Sequence, residues 1–307
     1  TNAKNVGELL DMLTVYDLSH YAGLGSQKTL RLRNSTADQV LVLLDGVPLN
    51  SSAKGSFNLS LLPIDIVEKI EILPGSASAL YGANAVAGVV NIITKKSREV
   101  KPQIQPKVNY GSFNTYSVDV DFDYNSTNYG TKVCLTNKHT DGWRENSQYD
   151  SISGFVNFSL PILYGELNMN LLTNSSKLGV PGPTTVPMEK WDGEVEKQAS
   201  YPYAKQYDDV YFLSVSYKDK LVTTKFSVDK EKLLYDNSKD PVVWYQEKTN
   251  SEVVSVNVLN TISLPYQFSA SLNYNYSQLD QQYLLNPVDN FKKDISDLSY
   301  TYNTVGF

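Results

Sequence analysis

The sequence is poor in the residues that most enzymes and disulfide-stapled proteins depend on. Its 307 residues include one cysteine, Cys134, two histidines, His20 and His139, and three methionines. A single cysteine excludes an internal disulfide. The histidines stand in no nucleophile–base–orienter pattern and at no metal-ligand spacing, so nothing points to an enzyme or a resident cofactor. No run approaches the roughly 18 consecutive apolar residues that a transmembrane helix requires, which excludes a helical membrane protein. Lys and Arg nowhere alternate with aromatics, and the net charge is -6 with a pI near 5.1, so nucleic acid is not an expected partner. The first residues lack a basic segment followed by an apolar one, so an export signal is expected to have been removed or never included.

Tyrosine, in contrast, is abundant, with 22 Tyr against 10 Phe and 3 Trp. Amphipathic rings collect where one end is apolar and the other wet, as in membrane-interface girdles or ligand-binding loops. The chain also changes character along its length. Up to about residue 97 it mixes helix-like and strand-like segments, and beyond about residue 103 it reads as strands, turns and polar loops. The charged stretch 95–102, closed by Pro102, suits a solvated linker.

In the second half the period of two is clean. Tyr116, Val118, Val120, Phe122 and Tyr124 alternate with Ser117, Asp119, Asp121 and Asp123. Leu163, Gly165, Leu167, Met169 and Leu171 oppose Tyr164, Glu166, Asn168 and Asn170, Val254, Val256 and Val258 oppose Ser255 and Asn257, and the pattern returns from Tyr266 to Ser277. A soluble antiparallel sandwich also alternates, but its strands are usually about 5 or 6 residues long, whereas these run to about 9 to 13, the span of a tilted strand crossing a bilayer. Ten strands are predicted, near 104–112, 115–125, 129–139, 150–160, 163–173, 208–218, 220–230, 252–264, 266–279 and 297–307. Tight turns at 125–128, 161–162 and 218–220 alternate with long loops at 174–207 and 231–250, the asymmetry of outer-membrane barrels.

The first half predicts a helix from Asn5 to Met12, a strand over Thr29 to Arg33, and a hairpin in which the buried run Val40 to Leu44 turns at Asp45-Gly46 into Val47 to Leu49. A helical turn from Ile64 leads into a strand ending at Leu73. Ser76 is placed to cap a short helix that Gly82 ends, before a strand from Val89 to Thr94.

Three blocks carry a family resemblance: Leu32-Arg33, the segment VLVLLDGVPLN at Val40 to Asn50, and IVEKIEILPGSASALYGANAVAGVVNIITK at Ile66 to Lys95. In this order and spacing, and followed by barrel-like strands, they resemble the plug domain of TonB-dependent outer-membrane receptors. Tyr110 to Thr115 looks like the family's first barrel hairpin. Asp141 to Asn146 and Gly179 to Pro183 look like loop segments of its cobalamin, colicin and siderophore receptor branch. The implied fold is a mixed α/β plug, 1–97, a linker, 98–103, and a partial transmembrane antiparallel β-barrel, 104–307.

The resemblance implies an active transporter in the cell outer membrane for a scarce bulky nutrient such as cobalamin or an iron-siderophore. Its implied partners are the TonB-ExbB-ExbD energy-coupling complex, the small-molecule ligand and outer-membrane lipid. A structural or adhesive outer-membrane protein that kept the same fold is the alternative. Two departures stand out: Asn34 occupies the place of the usual Gly after the first arginine, and Pro74 that of the usual Arg before Gly. Of the two plug arginines that face barrel glutamates in the family, only Arg33 remains to make a plug–barrel contact. Ten strands alone would close at a radius of roughly 10 Å, too narrow for a plug whose radius of gyration is about 13 Å. A further segment or a second chain is therefore expected to complete the wall.

Ligand contacts are expected from the plug apex, Asn50, Ser51, Ser52, Lys54 and Ser56, and from the loop aromatics Trp191, Tyr201, Tyr203, Trp244 and Tyr245. The same aromatics could instead pack the loops together. Asp192, Glu194 and Glu196 offer oxygen atoms suited to Ca²⁺, or simply a solvated acidic loop.

Overall fold

The computed structural model describes residues 3, 5–13, 17–20, 27–33, 35–50, 55–81, 84–97, 100–162, 164–183, 187–237, 245–263, 269–287 and 294–306. No helix among them is long and apolar enough to cross a membrane.

The N-terminal part is built around a small mixed sheet. Helix α1 (Val6–Met12) is capped by Asn5, whose side-chain oxygen accepts from the Glu8 amide at 2.8 Å. It is followed by a two-stranded ribbon, β1 (Asp17–His20) with β2 (Lys28–Arg31). The sheet proper takes the order β4-β3-β6-β5, from β3 (Val40–Leu44), β4 (Val47–Pro48), β5 (Val67–Pro74) and β6 (Gly88–Thr94). Strands β3 and β6 run parallel and are buried almost throughout, as their unbroken apolar sequences require. Asp45 and Gly46, at φ 50 and 74, form the expected tight turn between β3 and β4.

The short helix is shifted by comparison with the sequence expectation. It spans α2 (Ser78–Tyr81), and Ala77 rather than Ser76 receives its first backbone bond, from the Tyr81 amide. The Gly82 stop lies outside the described residues.

The remainder is one sheet of ten antiparallel strands in sequential order. These are β7 (Gln103–Gly111), β8 (Thr115–Asn125), β9 (Gly130–Thr140), β10 (Tyr149–Ile162), β11 (Gly165–Gly179), β12 (Lys205–Lys218), β13 (Val222–Asp236), β14 (Tyr245–Ser263), β15 (Ser269–Pro287) and β16 (Asp294–Gly306). All ten expected strands are present, in one layer rather than in two facing sheets. Among the described residues no pairing joins β7 to β16, so the sheet is open.

Three boundaries differ from expectation. Pro161 and Ile162 still belong to β10, and the turn falls two residues later, at Tyr164. Residues 174–179 and 205–207, read as loop, extend β11 and β12, and 231–236 and 245–250 extend β13 and β14. The ladder continues past the apolar band because backbone pairing needs no apolar side chain once the strand has risen into water.

The two faces of this sheet are inverted relative to a soluble domain. Val118, Val120, Leu135, Met169, Leu171 and Phe226 stand exposed on the outer side, while Ser117, Asp119, Lys132, Asn157, Asn170 and Ser227 are buried on the inner side. Along β8 the outer row begins at Tyr116, stacked on His139, and ends at Tyr124, which meets Tyr129 edge-on. Eight residues of tilted strand place these aromatic rows about 20 Å apart across the sheet normal to the rows, close to the apolar height of a barrel wall. Inward-facing Cys134, Phe155, Leu172, Val210 and Phe212 interrupt the polar inner face and join the core of the N-terminal sheet, with Val6, Leu10, Leu30, Leu59 and Leu62.

Candidate functional site at the plug–wall boundary

The inner face of the wall holds the N-terminal unit at its two ends in different ways. At the end with the short turns, the Asp45-Gly46 turn reaches into the wall. One Asp45 carboxylate oxygen accepts from the Thr94 amide at 2.9 Å, and the other accepts from the Thr94 hydroxyl at 2.7 Å and from Asn170 Nδ2 on β11 at 3.0 Å. Asn170 Oδ1 in turn accepts from Asn157 Nδ2 on β10 at 2.7 Å. Lys225 Nζ on β13 donates to the Asp45 main-chain carbonyl at 2.7 Å. A β-carbon built on Gly46 would lie 2.3 Å from that same Nζ, so the close approach needs glycine for space as well as for φ.

Three further ties flank this seat. Lys107 on β7 bridges Asp65 of the plug at 2.6 Å and Asp121 of β8 at 2.9 Å. Lys96 pairs with Glu166 at 2.9 Å, and the Ser97 hydroxyl donates to Asp123 at 2.6 Å. The segment expected to be a solvated linker is thus fastened to the wall at Lys96 and Ser97. None of Asp45, Asn170, Lys225 or Lys107 was among the sequence-predicted site residues. The available signal was a carboxylate and a lysine on strand faces otherwise filled by Ser, Asn and Thr.

Arg33, expected to make such a contact, is exposed in a turn at φ 51 and pairs with no carboxylate among the described residues. Pro74 ends β5 on an exposed edge. Among the described residues the plug meets the wall at Asp45, Asp65, Lys96 and Ser97.

At the opposite end, a small cleft of about 30 Å³ lies between the plug apex and the wall. Gln27, Leu49, Ser56 and Phe57 line one side, and Val210, Phe212, Asp229 and Glu231 the other. Of the expected apical contacts, Ser56 lines this cleft. Asn50 is committed to the plug: its Oδ1 accepts from Val42 N at 2.7 Å, and its Nδ2 donates to the carbonyls of Val40 at 2.9 Å and Gly55 at 2.7 Å. Ser51, Ser52 and Lys54 lie outside the described residues.

Above the cleft the loops 141–148 and 180–204 are knitted together. Arg144 donates to the carbonyls of Gly182 at 3.0 Å and Gln198 at 2.9 Å, and Asn146 Nδ2 to those of Tyr201 at 2.6 Å and Ala204 at 2.8 Å. The Tyr201 ring packs so closely on Gly182 that a β-carbon there would sit 2.5 Å from it. Tyr201 therefore packs loop on loop, whereas Trp191 and Tyr203 remain exposed at 44% and 50%. Trp244 lies outside the described residues, and Tyr245 begins β14.

The acidic loop serves its own backbone. Asp192 Oδ1 accepts from the amides of Glu194 and Val195, both at 3.0 Å, and Glu196 accepts from those of Asp192 at 3.3 Å and Gly193 at 3.1 Å. Glu194 pairs with Lys197 at 2.9 Å. The amides of Val195 and Glu194 hold the Asp192 carboxyl below the usual range. Among the described residues no group of three His, Cys, Asp or Glu side chains is arranged to hold a metal ion, so the three carboxylates do not converge as expected for Ca²⁺.

Comparison with known proteins agrees with this geometry. The family described as TonB-dependent Receptor Plug Domain matches residues 1–89. The vitamin B12 transporter BtuB of Vibrio cholerae is 41% identical over 95 residues, 31% of this chain and 16% of BtuB. The BtuB of Vibrio vulnificus is 40% identical over 98 residues, 32% of this chain and 16% of its own length. Among solved structures, the unliganded ferric citrate transporter FecA superposes with a TM-score of 0.71 at 16% identity, covering 99% of this chain and 50% of FecA. The ferric yersiniabactin uptake receptor FyuA of Yersinia pestis gives 0.62 at 14% identity, covering 99% and 58%.

A mixed plug seated against an outward-apolar antiparallel wall is the architecture of a plugged outer-membrane barrel. Residues 1–89 match the plug domain of TonB-dependent receptors, and the whole chain is similar in fold to outer-membrane transporters of that kind. It spans about half the length of the receptor structures it matches.

Proposed function

We propose that residues 1–97 are the plug, 98–103 the linker and 104–307 part of the wall of an active importer. It captures a scarce, bulky nutrient outside the cell and admits it when the TonB-ExbB-ExbD complex pulls on the plug. The outer membrane has no nucleotide supply, so the energy for plug movement arrives mechanically from the inner membrane. The observation that carries this reading is the polar Asp45 seat. Apolar packing at Phe155, Leu172 and Phe212 also joins plug and wall, but the hydrogen bonds and ion pairs around Asp45 exchange with water at low net cost once that contact opens.

The apical cleft is the proposed point of capture, with Ser56, Gln27, Phe57 and Phe212 lining it and Asp229 and Glu231 at its rim. Trp191 and Tyr203 on the loops above supply exposed ring surface for a large ligand. A cleft combining rings with carboxylates suits a chelate or corrin-like molecule that presents apolar surface together with donor groups. Similarity to vitamin B12 transporters over about a third of the chain makes cobalamin the first ligand to try and siderophore complexes the second.

The direct test is uptake of labelled cobalamin and iron-siderophores by cells lacking the gene and by cells complemented with the full-length gene. Uptake restored by the intact gene, and abolished when the coupling complex is de-energised, is expected. Unchanged uptake across the panel would remove the transport reading.

A further inference from the structure

Beside the Asp45 seat, at the short-turn end, a second cleft of about 540 Å³ opens to solvent between plug and wall. Its charged lining is Asp45, Glu166 and Asp219 on one side of the balance, and Lys96, Lys218, Lys220 and Lys225 on the other.

The carboxylates are all occupied. Asp45 accepts from Thr94 and Asn170. Glu166 accepts from Lys96 and from Asn168, each at 2.9 Å. Asp219 accepts from the amides of Leu221 and Val222, both at 2.7 Å, and from the Tyr217 hydroxyl at 3.0 Å. The ammonium groups are not equally served. Lys96 pairs with Glu166, whereas among the described residues Lys218, Lys220 and Lys225 make no close ion pair, Lys218 lying in the field of Glu166 and Lys225 in that of Asp45. Lys225 spends one of its three N–H donors on a neutral carbonyl, that of Asp45. With four ammonium groups against three carboxylates the cleft carries a small excess of positive charge, and Lys225 reaches the plug through a neutral acceptor.

We infer that this cleft binds a small oxyanion, of the phosphate class, from the compartment at the short-turn end, and that Lys225 is the residue shared between the anion and the plug. An anionic oxygen is a stronger acceptor for an ammonium than a peptide carbonyl is. Anion binding therefore draws Lys225 Nζ away from Asp45 and loosens the seat, while Lys218 and Lys220 supply the accompanying field. The inference builds on the reading of the plug as a movable element, but the binding step does not depend on transport.

The test uses the full-length receptor in detergent, with inorganic phosphate as the probe. Phosphorus NMR line broadening on titration reads binding, and amide hydrogen exchange at Gly46 and Thr94, which are bonded within the plug to Asn91 and Asp45, reads the order of the turn that Lys225 holds. Saturable broadening is expected, with apparent affinity about tenfold weaker or worse in Lys225→Met, in keeping with loss of a charge-assisted hydrogen bond. Lys225→Arg should restore binding, and Lys197→Gln, in the loop at the opposite end of the wall, should leave it unchanged. Phosphate should speed exchange at Gly46 and Thr94 in the parent protein but not in Lys225→Met. Absence of saturable broadening in the parent, or broadening that survives Lys225→Met and Lys218→Gln together, would overturn the assignment, whatever the uptake assays show. Binding without any change in exchange would overturn the coupling to the seat.

Discussion

Replacing Asp45 by alanine tests the plug seat most sharply, because one side chain there satisfies three donors. Its removal leaves the Thr94 amide and hydroxyl and Asn170 Nδ2 without their acceptor. Thr94 is 3% exposed and Asn170 is 4% exposed, so water does not readily replace the lost acceptor while the seat stays closed. Each stranded buried group costs about 1–3 kcal/mol, and partial relaxation brings the sum for Asp45→Ala to about 3–5 kcal/mol. Asp45→Asn keeps one carbonyl oxygen and loses the charge, so about 1–2 kcal/mol is expected. The loss is local, so hydrogen exchange in the intact receptor is the assay. For the Thr94 amide, about 3 kcal/mol corresponds to a protection factor lower by about two orders of magnitude, with amides of β10 in the wall unaffected. If Thr94 protection in Asp45→Ala falls by less than threefold, the Asp45 carboxylate does not anchor the turn that carries the contacts to Asn170 and Lys225.

Other expectations follow from the same coordinates. Gly46→Ala requires a side chain at φ 74 with its β-carbon on Lys225 Nζ, and should lower plug stability by about 1–3 kcal/mol, seen as a lower urea midpoint for plug proteolysis. Phe155→Ala and Phe212→Ala, which remove the wall's fully buried rings from the shared core, should each cost about 3–5 kcal/mol in that assay without preventing assembly of the wall. Asp192 is held below the usual carboxyl range by the Val195 and Glu194 amides, so its contribution is complete above the unfolded carboxyl pKa and is lost as pH falls through the lower, folded value. Acidification should therefore expose the 194 and 195 amides to exchange, and Asp192→Ala should show that exposure already at neutral pH.

The period of two announced the wall because every outward position in β8 is apolar and every inward one is Thr, Ser, Asp or Asn, a contrast that only a lipid-facing sheet with a wet or plugged interior needs. Phe155, Leu172 and Phe212 break that rule, and these are the places where the plug packs. Apolar residues on a polar face mark a strand covered on both sides, a signal that was open to sequence reasoning but was not used. The Asp45-Gly46 turn was legible as a turn. Its role was not, since the partners Asn170 and Lys225 lie 125 and 180 residues further along the chain, and no local pattern joins them. The apical residues failed differently. Asn50 has the polarity of a ligand contact, but its amide fits the backbone of β3, as a buried Asn at a strand end commonly does. The strands outran their expected ends wherever the sequence turned polar on both faces, because the ladder depends on backbone groups alone.

The central claim, that the alternating strands form a membrane wall wrapped around the plug, is tested most directly along β8. Single cysteines at 116 through 124, in a full-length Cys134→Ser receptor reconstituted in bilayers, would be labelled with a fluorophore and quenched by brominated lipid. The account predicts strong quenching at 116, 118, 120, 122 and 124, deepest at 120, and little at 117, 119, 121 and 123. Quenching that is uniform along the strand, or strongest at the Ser and Asp positions, would contradict it.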